Sequence, residues 1–509
     1  MQTAVVQLPD DPKLLKDILV ETNAEVERLK QINRIQEEMI RLMRIEKYGR
    51  KSEKLSNDQL EFLDGEPSVQ AEEIEKEVQN TQPLPKRKKR NPQPGRVELP
   101  DHLQRVEEII LCNDDQCQCS QCGGDTTVIG YEESEVLDVK PAEYFVRKIK
   151  REKRACPKCP EQGVKTAAAP KRIVEKGKLS DAIIIDSVLK KYRDHIPLFR
   201  QSAGLMADAG LDIARSVLCN NVMKVGDLCM AICRELKKDL FAGRYIQADE
   251  TPVGVQDPET IGKNHRAFMW EYSRPFGPVV FDFQMGRSRE GPIDFLKNFQ
   301  GHLQSDGYST YDCIKDPNII HSRCLVHARR YFDKARLVAS ENPKPKEILE
   351  QIAKIYAVES QARQLGFNHD QRLQLRKEKS VDLMDQLKQM IITARQDALP
   401  ADALSEACDY TLGQWEGLIK FLEHGHLEPD NNWCENAIRP IALGRKNWLH
   451  IGSETAGKKI AAIMSVLETC RRLGVNAREY LLDVLPGLNN RPTSDLPNLT
   501  PMAWKNRQA

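Results

Sequence analysis

Residues 325–425 read as helix almost from end to end, and they follow a stretch that reads mainly as strand. Arg244–Asp249, Pro252–Val255, His265–Tyr272, Pro278–Phe283, Gly301–Asp306 and Asn318–Ser322 carry the alternation or the β-branched and aromatic content of strands, with a helix at Gly291–Phe299 among them. A helical block of that length is too long for one crossover helix, so it is an inserted subdomain. Strands clustered first, then mixed with helices, predict a mixed sheet with helices on its faces.

The chain after the block, residues 428–448, gathers acids, amides, guanidiniums and two Trp into a short helix and its flanks. Asp430 is the expected N-cap, because its carboxylate can accept an orphan N–H of the first turn. Pro440 is expected to end or kink the helix. Asn432, Glu435 and Arg439 stand at i, i+3 and i+7 and share one face, while Trp433, Ala437 and Ile438 anchor the other side. This points to a metal and phosphate site. An Asn-rich turn with an ordinary Glu435–Arg439 ion pair is the plainer alternative.

Two further acids stand in a matching setting. Asp249 is expected at the end of the first strand, on the same face as Gln247, and Asp306 at the end of a later one, before Gly307. Three buried carboxylates are tolerable together only around cations. Hard oxygen ligands suit Mg2+ or Mn2+. Two such ions can serve in-line phosphoryl displacement. Glu250, Asp282 and Asp312 are equally near strands, so the order strand acid, strand acid, helix acid carries the argument.

The rest of the 509 residues fills in modules. Fourteen Cys, no apolar run of membrane-spanning length and an N-terminus unlike a signal peptide predict a cytoplasmic protein with metal-bound or buried thiols. Residues 12–47 carry an apolar stripe near heptad spacing (Leu15, Ile18, Leu29, Ile32, Met39, Met43) and predict a coiled-coil contact between two copies, or a helix packed on its own chain. Cys119-Ser-Gln-Cys122 and Cys156-Pro-Lys-Cys159 supply the four thiolates of a closed, structural Zn2+ site, with strands expected at Thr126–Ile129 and Tyr144–Ile149. Basic residues crowd Val146–Lys178, and helices follow at about 180–193, 196–208 and 213–238, as in a helix-turn-helix DNA reader or a small helical subdomain.

Several motifs then occur together: Tyr48-Gly-Arg-Lys-Ser-Glu-Lys, the two Cys pairs, Lys191-Tyr-Arg-Asp-His-Ile-Pro-Leu-Phe-Arg-Gln, Ala248-Asp-Glu-Thr-Pro-Val, Gln304-Ser-Asp-Gly-Tyr, Cys324-Leu-Val-His-Ala-Arg-Arg, Asp430-Asn-Asn-Trp-Cys-Glu and Gly444-Arg-Lys-Asn-Trp. With them the chain resembles, over nearly its whole length, a DDE transposase of the insertion-sequence-66 family. His450 departs from the resemblance, which has Phe there. The resemblance implies an RNase H-like core with Asp249, Asp306 and Glu435 as metal-binding catalytic triad, and it makes the helical block the insertion before the third acid. It also implies accessory proteins encoded by the same element.

The expectation is therefore a multidomain α+β/α/β protein. It has a long helix for dimerisation (1–63), a Pro-rich basic linker (64–100), a zinc ribbon (101–162) and a basic, helical DNA-binding region (163–240). An RNase H-like core follows in two parts (241–340 and 427–453), split by the helical insertion (341–426), then a C-terminal helical region (454–487) and a poorly ordered tail (488–509). The expected activity is Mg2+-dependent hydrolysis at transposon ends and strand transfer of the 3′-hydroxyl into target DNA. The partners are the terminal inverted repeats, target DNA and a second copy of the chain, with no membrane. Arg329, Arg330, Arg439, Arg445 and Lys446 would hold the DNA backbone, with Asn432 and His327 in support. An inactive zinc-containing DNA-binding regulator and a structure-selective nuclease of the same fold are the competing readings.

Overall fold

The computed structural model describes residues 11–48, 163–256, 263–339 and 341–508, with shorter runs between 104 and 155. The chain divides into two units, residues 82–168 and the remainder. The smaller unit contains one antiparallel pair, β1 (Lys153–Ala155) and β2 (Val164–Thr166). The strands expected at 126–129 and 144–149 do not form in the described residues there. Their apolar side chains, such as Ile129, Phe145 and Val146, are exposed, and an alternating segment without a partner edge has nothing to take its backbone groups. Cys119, Cys122, Cys156 and Cys159 lie outside the described residues, as does the 64–100 linker.

The larger unit is built on a five-stranded sheet: β3 (Tyr245–Gln256), β4 (Asn264–Ser273), β5 (Val279–Gln284), β6 (Gly301–Ser305) and β7 (Ile319–Arg323), in spatial order β5-β4-β3-β6-β7. β3, β4 and β5 run as an antiparallel meander, whereas β6 lies parallel to β3 and β7 parallel to β6. β3 joins the two segments expected to be separate, so Asp249 stands mid-strand. Pro252 is tolerated inside it because β6 pairs only with Tyr245–Gln247, leaving that edge of β3 without a ladder where proline lacks its N–H.

One apolar core lies between the sheet and the helices around it. α1 is Pro12–Tyr48; α2 (Asp181–Tyr192), α3 (Leu198–Ala209) and α4 (Arg215–Ala242) match the three helices expected after the basic stretch. α4 is long and apolar enough to cross a membrane by length and composition, but Val222, Val225, Ile232 and Leu236 bury its apolar side in this core. α5 (Glu290–Leu296) links β5 to β6. A second core belongs to the insertion, made by α6 (Leu325–Val338), α7 (Lys344–Gln364), α9 (Val381–Asp397) and α10 (Ala403–Gly413), while α8 (His369–Leu375) packs Leu375 on Val358 and Ala362 of α7 in a small cluster of its own. The C-terminal end of α1 rests on it through Leu42 and an Arg41 bond to the Val338 carbonyl (3.2 Å).

The chain then returns to the sheet as α11 (Asn432–Trp448), followed by α12 (Glu454–Arg472) and α13 (Ala477–Val484). Two expectations fail here for physical reasons. Pro440 does not end α11. The carbonyl it leaves without an N–H, that of Asn436, is met by Arg471 Nη2 at 3.5 Å. The tail is ordered: two 3₁₀ segments lead into α14 (Pro501–Gln508), and Leu488, Leu496, Leu499 and Trp504 are buried. Tyr480 donates to the Leu499 carbonyl at 2.7 Å and Trp504 Nε1 to Asp483 at 2.9 Å, so the Pro-rich segment is pinned at both ends.

Candidate active site

Sheet register brings the first two acids together. Gln247 is the register partner of Gln304 in the parallel pair. Two residues further along each strand, on the same faces, stand Asp249 and Asp306. Asp249 Oδ1 accepts the Glu250 N–H at 2.9 Å, and Asp306 Oδ1 accepts the Tyr308 N–H at 3.0 Å. The Asp306 carbonyl receives Ser305 Oγ at 2.9 Å and Arg323 Nη1 at 3.2 Å, which fixes the turn out of β6. Gly307 is required for room rather than for a left-handed turn. Its φ is not positive, and a Cβ there would lie 2.9 Å from the Tyr410 ring of α10, whose hydroxyl accepts the Gly307 N–H at 3.2 Å.

Glu435 comes in from α11. Its helix starts one residue after Asn431, and Asp430 takes up the Asn432 N–H at 3.0 Å, so Asp430 satisfies the first turn as expected although it stands one position further out. Burial pushes the Asp430 carboxyl up to about 7, against the pull of that backbone N–H. Cys434, Ala437 and Ile438 are buried while Asn432, Glu435 and Arg439 are half-buried on the opposite side, as the helical spacing predicts.

The electrostatics at these acids are unfavourable. Burial first, and then the negative charges of Glu435, Glu250 and Asp306, push Asp249 well above the usual carboxylate range. Burial likewise raises Glu250, which Arg287 Nε meets at 2.9 Å. Glu435 forms an ion pair with Arg330 of α6 through one oxygen. Its other oxygen is buried with no hydrogen-bond partner among the described residues, 3.8 Å from His327 Nε2. Burial lowers the His327 pKa, the nearby Glu435 notwithstanding. Burial also opposes the charge on Arg330, and Glu435 more than offsets it. Among the described residues, no three His, Cys, Asp or Glu side chains stand around a common point as a metal site. Glu435 is drawn to Arg330 instead, yet an orphaned carboxylate oxygen beside a self-repelling acid is what a hard cation would relieve. The donor set, all carboxylate oxygen, fits Mg2+ or Mn2+.

The other expected residues are distributed around this centre. Arg445 Nη1 donates to Thr251 Oγ1 (3.1 Å) and to the Pro252 carbonyl (2.7 Å), which ties the end of α11 to β3. Lys446 is exposed, Arg439 and Arg329 are half-buried, and Arg330 reaches Glu435 with half its side chain in solvent. Cys324 is a buried thiol at the start of α6, whose sulfur accepts the Asn431 N–H at 3.4 Å. Sequence reasoning assigned no role to Tyr245 or Glu428, marked Gln304 only as the start of a motif and noted Gln247 only for its face. The available signal was the repeated spacing, a Gln two residues before each strand acid. It also passed over Glu271, which burial pushes up to about 8 and which contacts the Cys434 thiol.

A mixed sheet whose crowded carboxylates meet a late helix defines a multidomain α/β protein with an acidic centre. The chain belongs to the IS66 transposase family: residues 176–459 match the model described as "Transposase IS66 family". Residues 116–160 match a "zinc-finger binding domain of transposase IS66" and residues 36–107 a "Transposase C of IS166 homeodomain". The latter match crosses from the end of α1 into the stretch expected as linker. Similar proteins of Sinorhizobium fredii carry only the name uncharacterized: y4jD is 31% identical over 80% of this chain and 81% of that protein, and y4qI is 28% identical over 99% of both. A third, y4hP, is 28% identical over 82% of this chain and 78% of that protein. A transposase family with a homeodomain-like match implies DNA as partner.

Proposed function

We propose that the chain is a DNA transposase with an RNase H-like core, which cuts the phosphodiester at element ends and joins the resulting 3′-hydroxyl to target DNA. The observation that carries this reading is the charge crowding at Asp249, which burial and then the neighbouring charges of Glu435, Glu250 and Asp306 push up, together with a Glu435 oxygen that has no hydrogen-bond partner among the described residues. Asp249, Asp306 and Glu435 would hold two Mg2+ or Mn2+ ions. Bound there, the ions would activate the attacking oxygen and stabilise the leaving one. The protein's own share is positioning and charge. β3 and β6 fix two acids side by side, α11 delivers the third, and Arg330 stands at its carboxylate with a guanidinium suited to a phosphate. Arg329, Arg439 and Lys446 line up as backbone contacts, and Asn432 and His327 border the acids.

The zinc-finger match spans Cys119, Cys122, Cys156 and Cys159, which supports one structural Zn2+ held by those thiolates. Metal analysis of the whole chain is expected to find one zinc, lost in Cys119→Ser with Cys156→Ser. α1 supports pairing of protomers, since Ile18, Leu29, Ile32, Met39 and Met43 are exposed at heptad spacing beyond its contact with the insertion. The reading is tested with a labelled element end and Mg2+. Wild type is expected to nick and to give strand-transfer products, and Asp249→Asn and Glu435→Gln to give neither. Equal cleavage by all three would remove the catalytic assignment, and cleavage without joining would leave a nuclease.

A further inference from the structure

Between the sheet and α11 lies a buried polar lock that the chemistry above does not use. Gln247 and Gln304, neighbours across β3 and β6, are 0% and 1% exposed. The Tyr245 hydroxyl, at the edge of the insertion's core, donates to Gln304 Oε1 at 2.5 Å and accepts from Gln247 Nε2 at 2.9 Å and from the Glu428 N–H at 3.1 Å. Gln304 Nε2 donates to the Glu428 carbonyl at 2.8 Å, and Gln247 Nε2 to the Asp430 carbonyl at 2.7 Å. Gln247 Oε1 accepts the Cys434 N–H at 3.3 Å. The same two side chains thus grip the lead-in to α11 at 428, 430 and 434, one residue short of Glu435. Each stands two residues from a strand acid on the same face.

A buried amide is satisfied by any well-placed partner, so burial alone does not explain this arrangement. Three features together do: the lock sits on both acid-bearing strands, both amides aim at one segment, and that segment leads directly into the helix of the third acid. We propose that Gln247 and Gln304, joined through the Tyr245 hydroxyl, are positioning residues that set Glu435 against Asp249 and Asp306. The proposal rests on the reading of those three acids as the metal-binding centre. The lock touches none of the reacting groups; it fixes the distance between the strand acids and the helix acid, on which shared coordination of an ion depends.

The test uses the full chain with Gln304→Met and Gln247→Met, which keep volume and remove the amide, and Tyr245→Phe, which removes only the hydroxyl. Three quantities are measured: the Mg2+ concentration for half-maximal cleavage of an element end, Mn2+ affinity by calorimetry without DNA, and affinity for end DNA in EDTA. In the Gln variants, both metal measures are expected to weaken about tenfold or more, as for lost partners of metal ligands, with DNA affinity unchanged and cleavage recovered at high Mn2+. In Tyr245→Phe the same shift is expected, but smaller. Wild-type metal affinity in folded Gln variants overturns the proposal. If those variants do not fold, wild-type affinity in Tyr245→Phe does so. Equal losses of metal and DNA affinity also overturn it, because they mark general damage. Asp249→Asn runs in parallel: should it bind Mn2+ and cut like wild type, the reading of the centre itself fails. Should it be dead while Gln304→Met titrates like wild type, only the positioning role fails.

Discussion

Two clusters of carboxylates, one buried and one half-buried, lie close to the same loop and are treated oppositely. In the insertion, Glu359 receives Arg372 at 2.6 and 2.8 Å and Arg376 at 2.7 and 2.8 Å, while Glu428 takes two more bonds from Arg372 at 2.6 and 2.7 Å. The remaining donors of Arg376 cap the carbonyls of Phe421, His424 and Leu427. The two acids face the guanidiniums of Arg372 and Arg376, with that of Arg363 3.9 Å from Glu428, and both carboxyls are held below their ordinary range despite burial, which on its own would raise them. At the sheet, four acids (Asp249, Glu250, Asp306 and Glu435) meet Arg287 and Arg330, and Asp249 is pushed up. The first cluster is complete without anything added. The second is short of positive charge, the deficit that the metal ions of the proposed function would make good.

The widest separation between the two should come from neutralising one acid in each. Asp249→Asn is expected to reduce cleavage of an element end by about 10³-fold or more, about 4 kcal/mol in the barrier, while leaving the thermal midpoint in EDTA equal to or above wild type. Glu359→Gln is expected to do the reverse. It leaves Arg372 and Arg376 short of a buried partner and should lower urea-unfolding stability by about 3–5 kcal/mol. A destabilised Asp249→Asn or an undisturbed Glu359→Gln would erase the contrast.

The pH dependence has a sign that separates them next. The arginines hold Glu359 at about 2, against an ordinary 4.5. Its folded pKa is depressed, so its contribution is present above about pH 4.5 and is lost as pH falls toward 2, about 3 kcal/mol in all. Asp430 goes the other way: raised to about 7 by burial, it withdraws stability as pH rises from its ordinary 3.8 through 7. Unfolding followed from pH 3 to 8 should therefore show an acid limb that Glu359→Gln flattens and a decline toward neutrality, of comparable size, that Asp430→Asn removes. The smallest effect is expected from Mg2+. At a hundredfold excess over its dissociation constant it should stabilise wild type by about 2.7 kcal/mol, and Asp249→Asn by much less.

Much of this centre was legible because it depends on period. Alternation put Gln247 and Asp249 on one face, and helical spacing put Asn432, Glu435 and Arg439 on another. What escaped depends on contacts between distant parts of the chain. Pro440 reads as a break until Arg471, on a later helix, meets the carbonyl it strands. Pro252 reads as a strand end unless one knows that β6 stops pairing at Gln247. The tail reads as disordered because single apolar residues among Pro and Asn carry no period, yet Leu499 and Trp504 find buried places against α13. The arginine knot was invisible for the same reason. Arg372 and Arg376 look like solvated charges on a helix until Glu428, from beyond the insertion, arrives beside them.

The late arrival of α11 also sets a clock. Gln247 and Cys434 are bonded across 187 positions of sequence. At about 5–20 residues per second of synthesis, roughly 10–40 s pass between the first strand acid and the helix acid leaving the ribosome. During that interval the chain already holds β3, β6 and a growing insertion but no third carboxylate. On the proposed reading, a nascent copy therefore lacks its third metal ligand until residue 435 has been made.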